Sequence, residues 1–367
     1  MNSLYIHIPF CKKKCFYCSF VVSVGQEKQV DDYLDFLEKE AKLFKGAKVD
    51  SIHLGGGTPS LLHSEQLKKI AGVIKANFIF ESKSEFAIEA NPETLDQQKT
   101  QTLKSIGINR VSLGVQSFQN KCLQYLGRNH DGDSAIRAFA LLREAGFENI
   151  NIDLIYALTG QSFTEVEQDL SQLERLGCKH ASLYTLTVEE QSRFFARKVP
   201  EMQRQLQAEF FEKAVLTLEK GGLAQYEISN FAEPGFESAH NMNYWMGGNY
   251  IGLGVGAHSH QDGHRWWNVG RLTEYMKRIN ESGQAKNGEE KLSPEERLCE
   301  AVVFGLRMNA GIDLNDLEKR YQVEFSREKK EKVEAFINDG YLELAGGRLK
   351  TALKGRLVLD ELSSYLV

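Results

Sequence analysis

The chain has 367 residues, 42% of them hydrophobic and 26% charged, with a net charge of −5. That balance supports a large core and excludes a disordered chain, and the slight acidity gives no electrostatic case for nucleic-acid binding. The six cysteines are too few for a disulfide framework, no long apolar run suggests a membrane span, and MNSLYIHIPF lacks the regions of a signal peptide, so a cytoplasmic protein is expected.

Short β-branched runs alternate with amphipathic stretches along most of the chain. Strands are predicted at 4–8, 51–54, 85–90, 110–115, 149–155 and 181–186, with a weaker one at 225–228 and another at 250–254. Helices are predicted at 30–44, at 65–77 with Ser64 as cap, and at 134–145, 163–176 and 203–220. Gly107, Gly146, Gly177 and Gly221 follow helices, where glycine relieves a left-handed residue. Alternation at this spacing predicts an α/β fold with a parallel sheet, closed or partly closed as a β/α barrel over residues 1–260. Ligand-binding residues should then lie at the C-terminal ends of strands.

Residues 261–290 read as a connecting segment. Beyond it, helices are predicted at 295–308, 314–321 and 329–339, then a hairpin over 341–351 turning at Gly346-Gly347, and a last helix over 354–366. This order resembles a winged helix over 291–367. A DNA-binding module should be basic, but Lys291 to Val367 carries 13 Lys and Arg against 14 Asp and Glu. A packing or lid domain is expected instead.

The chemistry concentrates after strands. CKKKCFYC places Cys11, Cys15 and Cys18 on one loop after the first strand, in C-x3-C-x2-C spacing. Three thiolates suit three corners of a cubane iron–sulfur cluster and leave one iron open to chelate a ligand. Zinc normally takes a fourth Cys or His at similar spacing, and none follows nearby. Gly55-Gly56-Gly57-Thr58 follows the second strand and can bring backbone N–H groups close to a carboxylate. Glu89 sits in an apolar strand; if its role is structural, a salt bridge with Arg110 or a backbone contact is expected. Gln116, Arg128 and Asp153 add polar groups at or after later strands and are expected to face one mouth.

The cysteine loop and its surroundings resemble the radical S-adenosylmethionine superfamily. HIPFC-x3-C-x2-C, GGGTPS, IEANPE, SLGVQSF, LGRNH and NIDLIYALTGQ, in that order, resemble the coproporphyrinogen III dehydrogenase-like family across about residues 3–260. The resemblance implies a radical S-adenosylmethionine barrel with a [4Fe–4S] cluster on Cys11, Cys15 and Cys18. It implies Tyr5, Tyr17, Gly56, Gly57, Thr58 and Glu89 around the S-adenosylmethionine. Gln116, Arg128 and Asp153 match further cofactor-binding positions, which in the dehydrogenase branch serve a second molecule of it.

Two branches of that family are open: an oxygen-independent coproporphyrinogen III dehydrogenase and a haem chaperone. The dehydrogenase pattern has a fourth cysteine where this chain has Phe20, and a longer segment before the first strand. His240-Asn241-Met242-Asn243-Tyr244-Trp245 is similar to an H-N-x-x-Y-W pattern of the chaperone branch. Imidazole is a common axial haem ligand, and Tyr and Trp offer flat faces to a porphyrin. His240, Asn241, Tyr244 and Trp245 are therefore the expected haem residues, with Gly252, Gly254 and Gly256 allowing close approach. His258, His260 and His264 form a second imidazole group suited to metal or haem ligation, with His258 expected to line the cofactor cleft. The preferred reading is a haem chaperone that carries cluster, S-adenosylmethionine and haem. It would pass haem to acceptor haemoproteins, membrane-bound respiratory enzymes among them by analogy with the family. The alternative is radical decarboxylation of coproporphyrinogen propionates.

Overall fold

One twelve-stranded sheet runs through most of the chain in the computed structural model, which describes residues 1–367. Strands β1 (Asn2–Ile8), β2 (Ser51–Gly56), β3 (Glu85–Ala90), β4 (Arg110–Gln116), β5 (Asn149–Tyr156) and β6 (His180–Thr185) lie side by side in chain order, each parallel to the next. Helices α1 (Val30–Ala41), α2 (Ser64–Asn77), α3 (Gln97–Ile106), α4 (Asn120–Leu126), α5 (Gly132–Glu144) and α6 (Phe163–Leu176) fill the crossovers. After β6 come α7 (Arg193–Ala196), α8 (Arg204–Lys220), the antiparallel strands β7 (Ala224–Glu227) and β8 (Asn230–Ala232), and α9 (Ala239–Trp245). Strand β9 (Asn249–Leu253) returns parallel to β1 on its free side. Strands β10 (His258–Gln261), β11 (His264–Asn268) and β12 (Lys286–Lys291) extend the sheet antiparallel, with α10 (Leu272–Ser282) packed behind. The strand order runs from β7 at one edge to β12 at the other, so this is an open, partial barrel.

The period-two alternation of the strands separates its faces. Leu4, Ile6, Ile8, Ile52, Leu54, Ile88, Val111 and Leu113 are buried in the main core with the helices. The intervening positions, His53, Glu89, Ser112, Asn151, Asp153 and Ser182, face a cavity on the concave side. Lys and Glu side chains in KNGEEK make the outer edge β12 a poor template for another strand.

A separate buried cluster lies in the C-terminal part, on helices α11 (Pro294–Gly305), α12 (Leu314–Tyr321) and α13 (Arg327–Asn338) and the hairpin β13 (Leu342–Ala345) and β14 (Arg348–Thr351). It joins the barrel at the β7 edge. The Ile228 N–H donates to the Arg307 carbonyl at 3.1 Å, and the Asn309 N–H donates to the Tyr226 carbonyl at 3.0 Å.

Several sequence expectations need correction. Residues 261–290 are not a connector. They supply β11, α10 and most of β12, and Leu272, Tyr275 and Ile279 belong to the barrel core. Their apolar residues are too widely spaced to read as strands, yet they bury against α1. His63, not Ser64, occupies the N-cap of α2. The left-handed residue after α8 is Gly222, not Gly221. The expected last helix is broken into 353–356 and 359–364.

Candidate cofactor site

The cavity at the C-terminal ends of β1–β6 has a volume of about 420 Å³, within the usual range for a small-molecule site. Cys11, Cys15 and Cys18 all line it, and all are free thiols. Their loop is fixed from several directions. The Ser23 N–H donates to the Pro9 carbonyl at 2.7 Å, and the Phe16 N–H donates to the Leu126 carbonyl at 3.0 Å. His7 Nε2 meets the Val21 carbonyl at 2.9 Å, closing the far end of the loop onto β1. All three line the one cavity with no nearby fourth Cys or His among its walls at similar spacing, and three thiolates suit a cubane cluster. Burial pushes the Cys11 thiol up to about 11, against the hydrogen bond from Thr58. Burial likewise raises Cys18. Cluster iron would have to displace those protons.

The glycine loop is shaped by close approaches. Gly56 has φ +112, and a Cβ there would meet the His7 ring at 2.6 Å. A Cβ on Gly57 would lie 2.8 Å from the Pro9 and Phe10 carbonyl oxygens, the backbone entering the cysteine loop. Thr58 Oγ1 lies 3.4 Å from Cys11 Sγ. Glycine therefore lets two strand ends pack directly against the cysteine loop.

Of the two structural partners expected for Glu89, the backbone contact is present and the pair with Arg110 is not. Glu89 Oε2 accepts the Gly56 N–H at 3.1 Å, and its Oε1 lies 3.1 Å from His53 Nε2. Arg110 instead donates to Asn149 Oδ1 at 2.6 Å and lies near Glu85. Register explains the difference, because Arg110 sits opposite Ala87 at the other end of the strand pair. Arg128 is buried beside the cysteines. Its Nη2 donates to Asn91 Oδ1 and the Gly114 carbonyl, each at 2.7 Å, and its Nη1 approaches Cys15 Sγ at 3.4 Å. Burial opposes its charge, but Tyr17, Cys15 and Glu93 outweigh that opposition and raise its pKa. A buried cation beside thiolate ligands suits an anionic cluster. Burial also raises Asp153, against hydrogen bonds from Ser112 and Asn151. Gln116 lines the same cavity at φ +70, beside a register shift between β4 and β5. Tyr17 is on the wall as well. Tyr5 is set back behind Gly55, its hydroxyl on His7 Nδ1 at 3.0 Å, so it supports the loop without lining the cavity.

Other wall residues were not singled out from the sequence: His53, His180, Ser182 and Tyr184. The signal was present. Each is an inward position by strand alternation, and His53 and Ser182 are polar between apolar neighbours.

The H-N-x-x-Y-W residues are dispersed. His240 is 1% exposed. Its Nδ1 meets Ser51 Oγ at 3.1 Å, its Nε2 meets Tyr244 OH at 3.0 Å, and its ring stacks on His53. Both nitrogens are occupied, so His240 has no free lone pair for iron in this arrangement, contrary to the sequence expectation. Asn241 faces the cofactor cavity. Tyr244 and Trp245 face a second cavity of about 110 Å³, shared with Tyr250, His260, Arg297 and Tyr321 at the junction with the C-terminal part. The expected role of the nearby glycines is also corrected. A Cβ on Gly252 would strike the His258 carbonyl, and one on Gly254 the Tyr33 hydroxyl, so the close approaches are internal.

An open parallel barrel with three free thiols at its mouth is the architecture of the radical S-adenosylmethionine superfamily, and that family model matches residues 5–173. The HemN C-terminal domain model matches residues 292–358. The chain is 38% identical to the haem chaperone HemW of Bacillus subtilis, over 88% of this chain and 87% of that one. It is 35% identical to HemW of Lactococcus lactis, over 96% and 94%. The coproporphyrinogen III oxidase HemN of Escherichia coli superposes with a TM-score of 0.87 at 26% identity, covering 100% of this chain and 89% of that one. The chain belongs to the HemW haem-chaperone family.

Proposed function

We propose that this protein carries a [4Fe–4S] cluster on Cys11, Cys15 and Cys18, binds S-adenosylmethionine in the adjoining cavity, and binds haem for transfer to acceptor haemoproteins. The observation behind the cofactor half is a single cavity lined by three free thiols, Gly56, Gly57, Thr58, Glu89, Gln116, Arg128 and Asp153. Glu89 would meet the cofactor's amino group, and the loop around Gly57 its carboxylate. Asp153 and Gln116 would serve its polar nucleoside end. Together, cluster and S-adenosylmethionine supply one-electron cleavage chemistry when bound. The protein's share is to hold Glu89 between His53 and the Gly56 N–H and to keep Arg128 charged beside Cys15.

The haem half rests on membership of a family whose curated members are named haem chaperones. Phe20 supports it over the dehydrogenase alternative. It is 65% exposed on the cavity rim where the dehydrogenase pattern has a cysteine. The expected recipients are haemoproteins, including membrane-bound respiratory enzymes, and a cytoplasmic location is expected. No helix of the chain is long and apolar enough to cross a membrane.

The test uses protein with an intact cluster, kept anaerobic. Ferric haem should bind stoichiometrically and move to an apo-haemoprotein, while reductant, S-adenosylmethionine and coproporphyrinogen III should give no decarboxylated product. Multiple turnovers of coproporphyrinogen would overturn the reading.

A further inference from the structure

One-electron chemistry at the cysteine site needs an electron from a donor, and no side chain is a strong enough reductant to give it. The cysteine loop itself, rather than the imidazoles of the sheet extension, faces such a donor. His258, expected from the sequence to line the cofactor cavity, stands outside it on β10 with its ring against Trp267.

The loop carries an unneutralised positive charge. Lys12, Lys13 and Lys14 fill the whole interval between Cys11 and Cys15, with Lys12 exposed and the other two half-buried. Helix α7 and the residues after it bring Arg193, Arg197 and Lys198, all exposed, to the same place. Two bonds join the segments. The Phe194 N–H donates to the Phe16 carbonyl at 2.9 Å, and Lys14 Nζ donates to the Gln191 carbonyl at 3.4 Å. The Phe16 ring is surrounded by cations, with Lys13 Nζ 5.5 Å from its centroid and the guanidinium carbons of Arg193 and Arg197 at 5.9 and 4.8 Å. Other cations find acids, Lys121 on Glu165 and Arg204 on Glu361, but no carboxylate pairs with any of these six. Glu189 and Glu190 are the only acids in residues 11–18 and 189–198, so this surface keeps an excess of positive charge on a chain whose net charge is −5.

Cys15 brings that surface close to the cluster site. It lines the cofactor cavity on one side and, on the other, a small recess that Lys12 and Lys13 also line. Phe16, the ring beneath the cations, is the next residue in the chain. A partner seated on these cations is separated from Cys15 by a single layer of side chains.

We propose that Lys12, Lys13, Lys14, Arg193, Arg197 and Lys198 form the docking surface for a small acidic protein that carries one electron at a time, and that the electron enters the cluster on the Cys15 side. This rests on the reading that the three cysteines hold a cluster. The donor loses one electron, the cluster gains it, and no bond is made or broken. Complementary charge suits such a contact, because it steers a brief encounter without a large apolar interface. An anionic lipid surface would be attracted by the same cations, yet such a contact gives no reason for them to sit between two cluster ligands.

The test pairs the cluster-loaded protein, kept anaerobic, with flavodoxin, an acidic FMN protein whose hydroquinone gives up one electron to become the semiquinone. Calorimetry with oxidised flavodoxin should show binding that weakens with salt. A triple variant, Lys12→Gln, Arg193→Gln and Arg197→Gln, alters no residue that lines the cofactor cavity. It should bind flavodoxin about tenfold more weakly. By stopped-flow absorbance, flavodoxin hydroquinone should reduce its cluster about tenfold more slowly, whereas photoreduced deazariboflavin, which is uncharged, should reduce it at the wild-type rate. A second triple variant, Lys42→Gln, Lys45→Gln and Lys69→Gln, loses the same charge from a groove between α1 and α2 and should match wild type throughout. Unchanged binding and reduction in the first variant overturns the assignment, as does an equal loss in the second. Binding to phosphatidylglycerol vesicles through the same cations, with none to flavodoxin, overturns the class of partner. Protein that assembles no cluster, read from its iron content, overturns the reading beneath the proposal separately from any binding result.

Discussion

Glu40 provides a prediction whose size follows from the structure. It lies on α1, 4% exposed. It accepts hydrogen bonds from Tyr275 OH at 2.7 Å, the Gly254 N–H at 2.8 Å and Asn268 Nδ2 at 2.6 Å. No cation pairs with it. Burial pushes its pKa up from 4.5 to about 7, although the three donors pull the other way. Between those pH values the folded protein holds a proton that the unfolded chain releases. Stability from this group is therefore fully present below pH 4.5 and is lost as pH rises through 7. A shift of that size corresponds to about 3 kcal/mol at about 1.4 kcal/mol per unit. Glu40→Gln removes the titration. Its amide leaves one donor without an acceptor, which adds an offset independent of pH. Denaturant unfolding of both proteins from pH 5 to pH 8 should show wild type losing about 2.5 kcal/mol relative to the variant, the rest of the span falling below pH 5. Asp169, raised to about 6 by burial, is common to both and cancels. Parallel stability curves would refute the reasoning.

Replacing Cys11, Cys15 or Cys18 singly with serine should cut iron and sulfide content after reconstitution to a small fraction of wild type, whereas Cys178→Ser, at a buried thiol outside the site, should leave it unchanged. Gly57→Ala puts a methyl against the Pro9 and Phe10 carbonyls. It should lower the melting temperature by an amount equivalent to about 1–3 kcal/mol and reduce cluster loading, both measurable on one sample. His53→Phe removes the hydrogen bond that holds Glu89. S-adenosylmethionine affinity by calorimetry should fall about tenfold, the scale of one charge-assisted bond, while iron content stays constant.

Much of this architecture is legible in the sequence because its parallel strands carry regular alternation. Leu4, Ile6 and Ile8 against Tyr5 and His7 declare one apolar and one polar face before any contact is known. The Gly55-Gly56-Gly57 loop and the cysteine loop are local features, so spacing alone reveals them. What stays hidden depends on register. Only pairing between strands takes Arg110 to Asn149 and Glu85 and leaves Glu89 to His53. β11 and β12 are hidden for a different reason. Their residues, HRWWN and KNGEEK, are polar enough to face solvent, and the strands form because each pairs with the one before. Tyr5 illustrates a third limit, since a side chain next to a ligand loop can support the loop from behind.

The buried position of His240 alters what an experiment on the H-N-x-x-Y-W segment can report. Its ring lies in a chain of contacts from Tyr244, at the second cavity, through His53 to Glu89, at the first. The Ser51 hydroxyl that meets Nδ1 is itself 2.7 Å from Ser3 Oγ, so the same ring also joins β1 to β2. Removing it takes a partner from the Ser51 and Tyr244 hydroxyls, a cost of about 1–3 kcal/mol for each group left unsatisfied. A His240→Ala protein should therefore lose S-adenosylmethionine affinity as well as stability, even with haem absent. Loss of haem in that variant would follow from either a missing ligand or a displaced strand pair. The identity of the axial atom separates these two causes, because a disturbed β1–β2 pair can weaken haem binding but cannot replace one coordinating nitrogen with another.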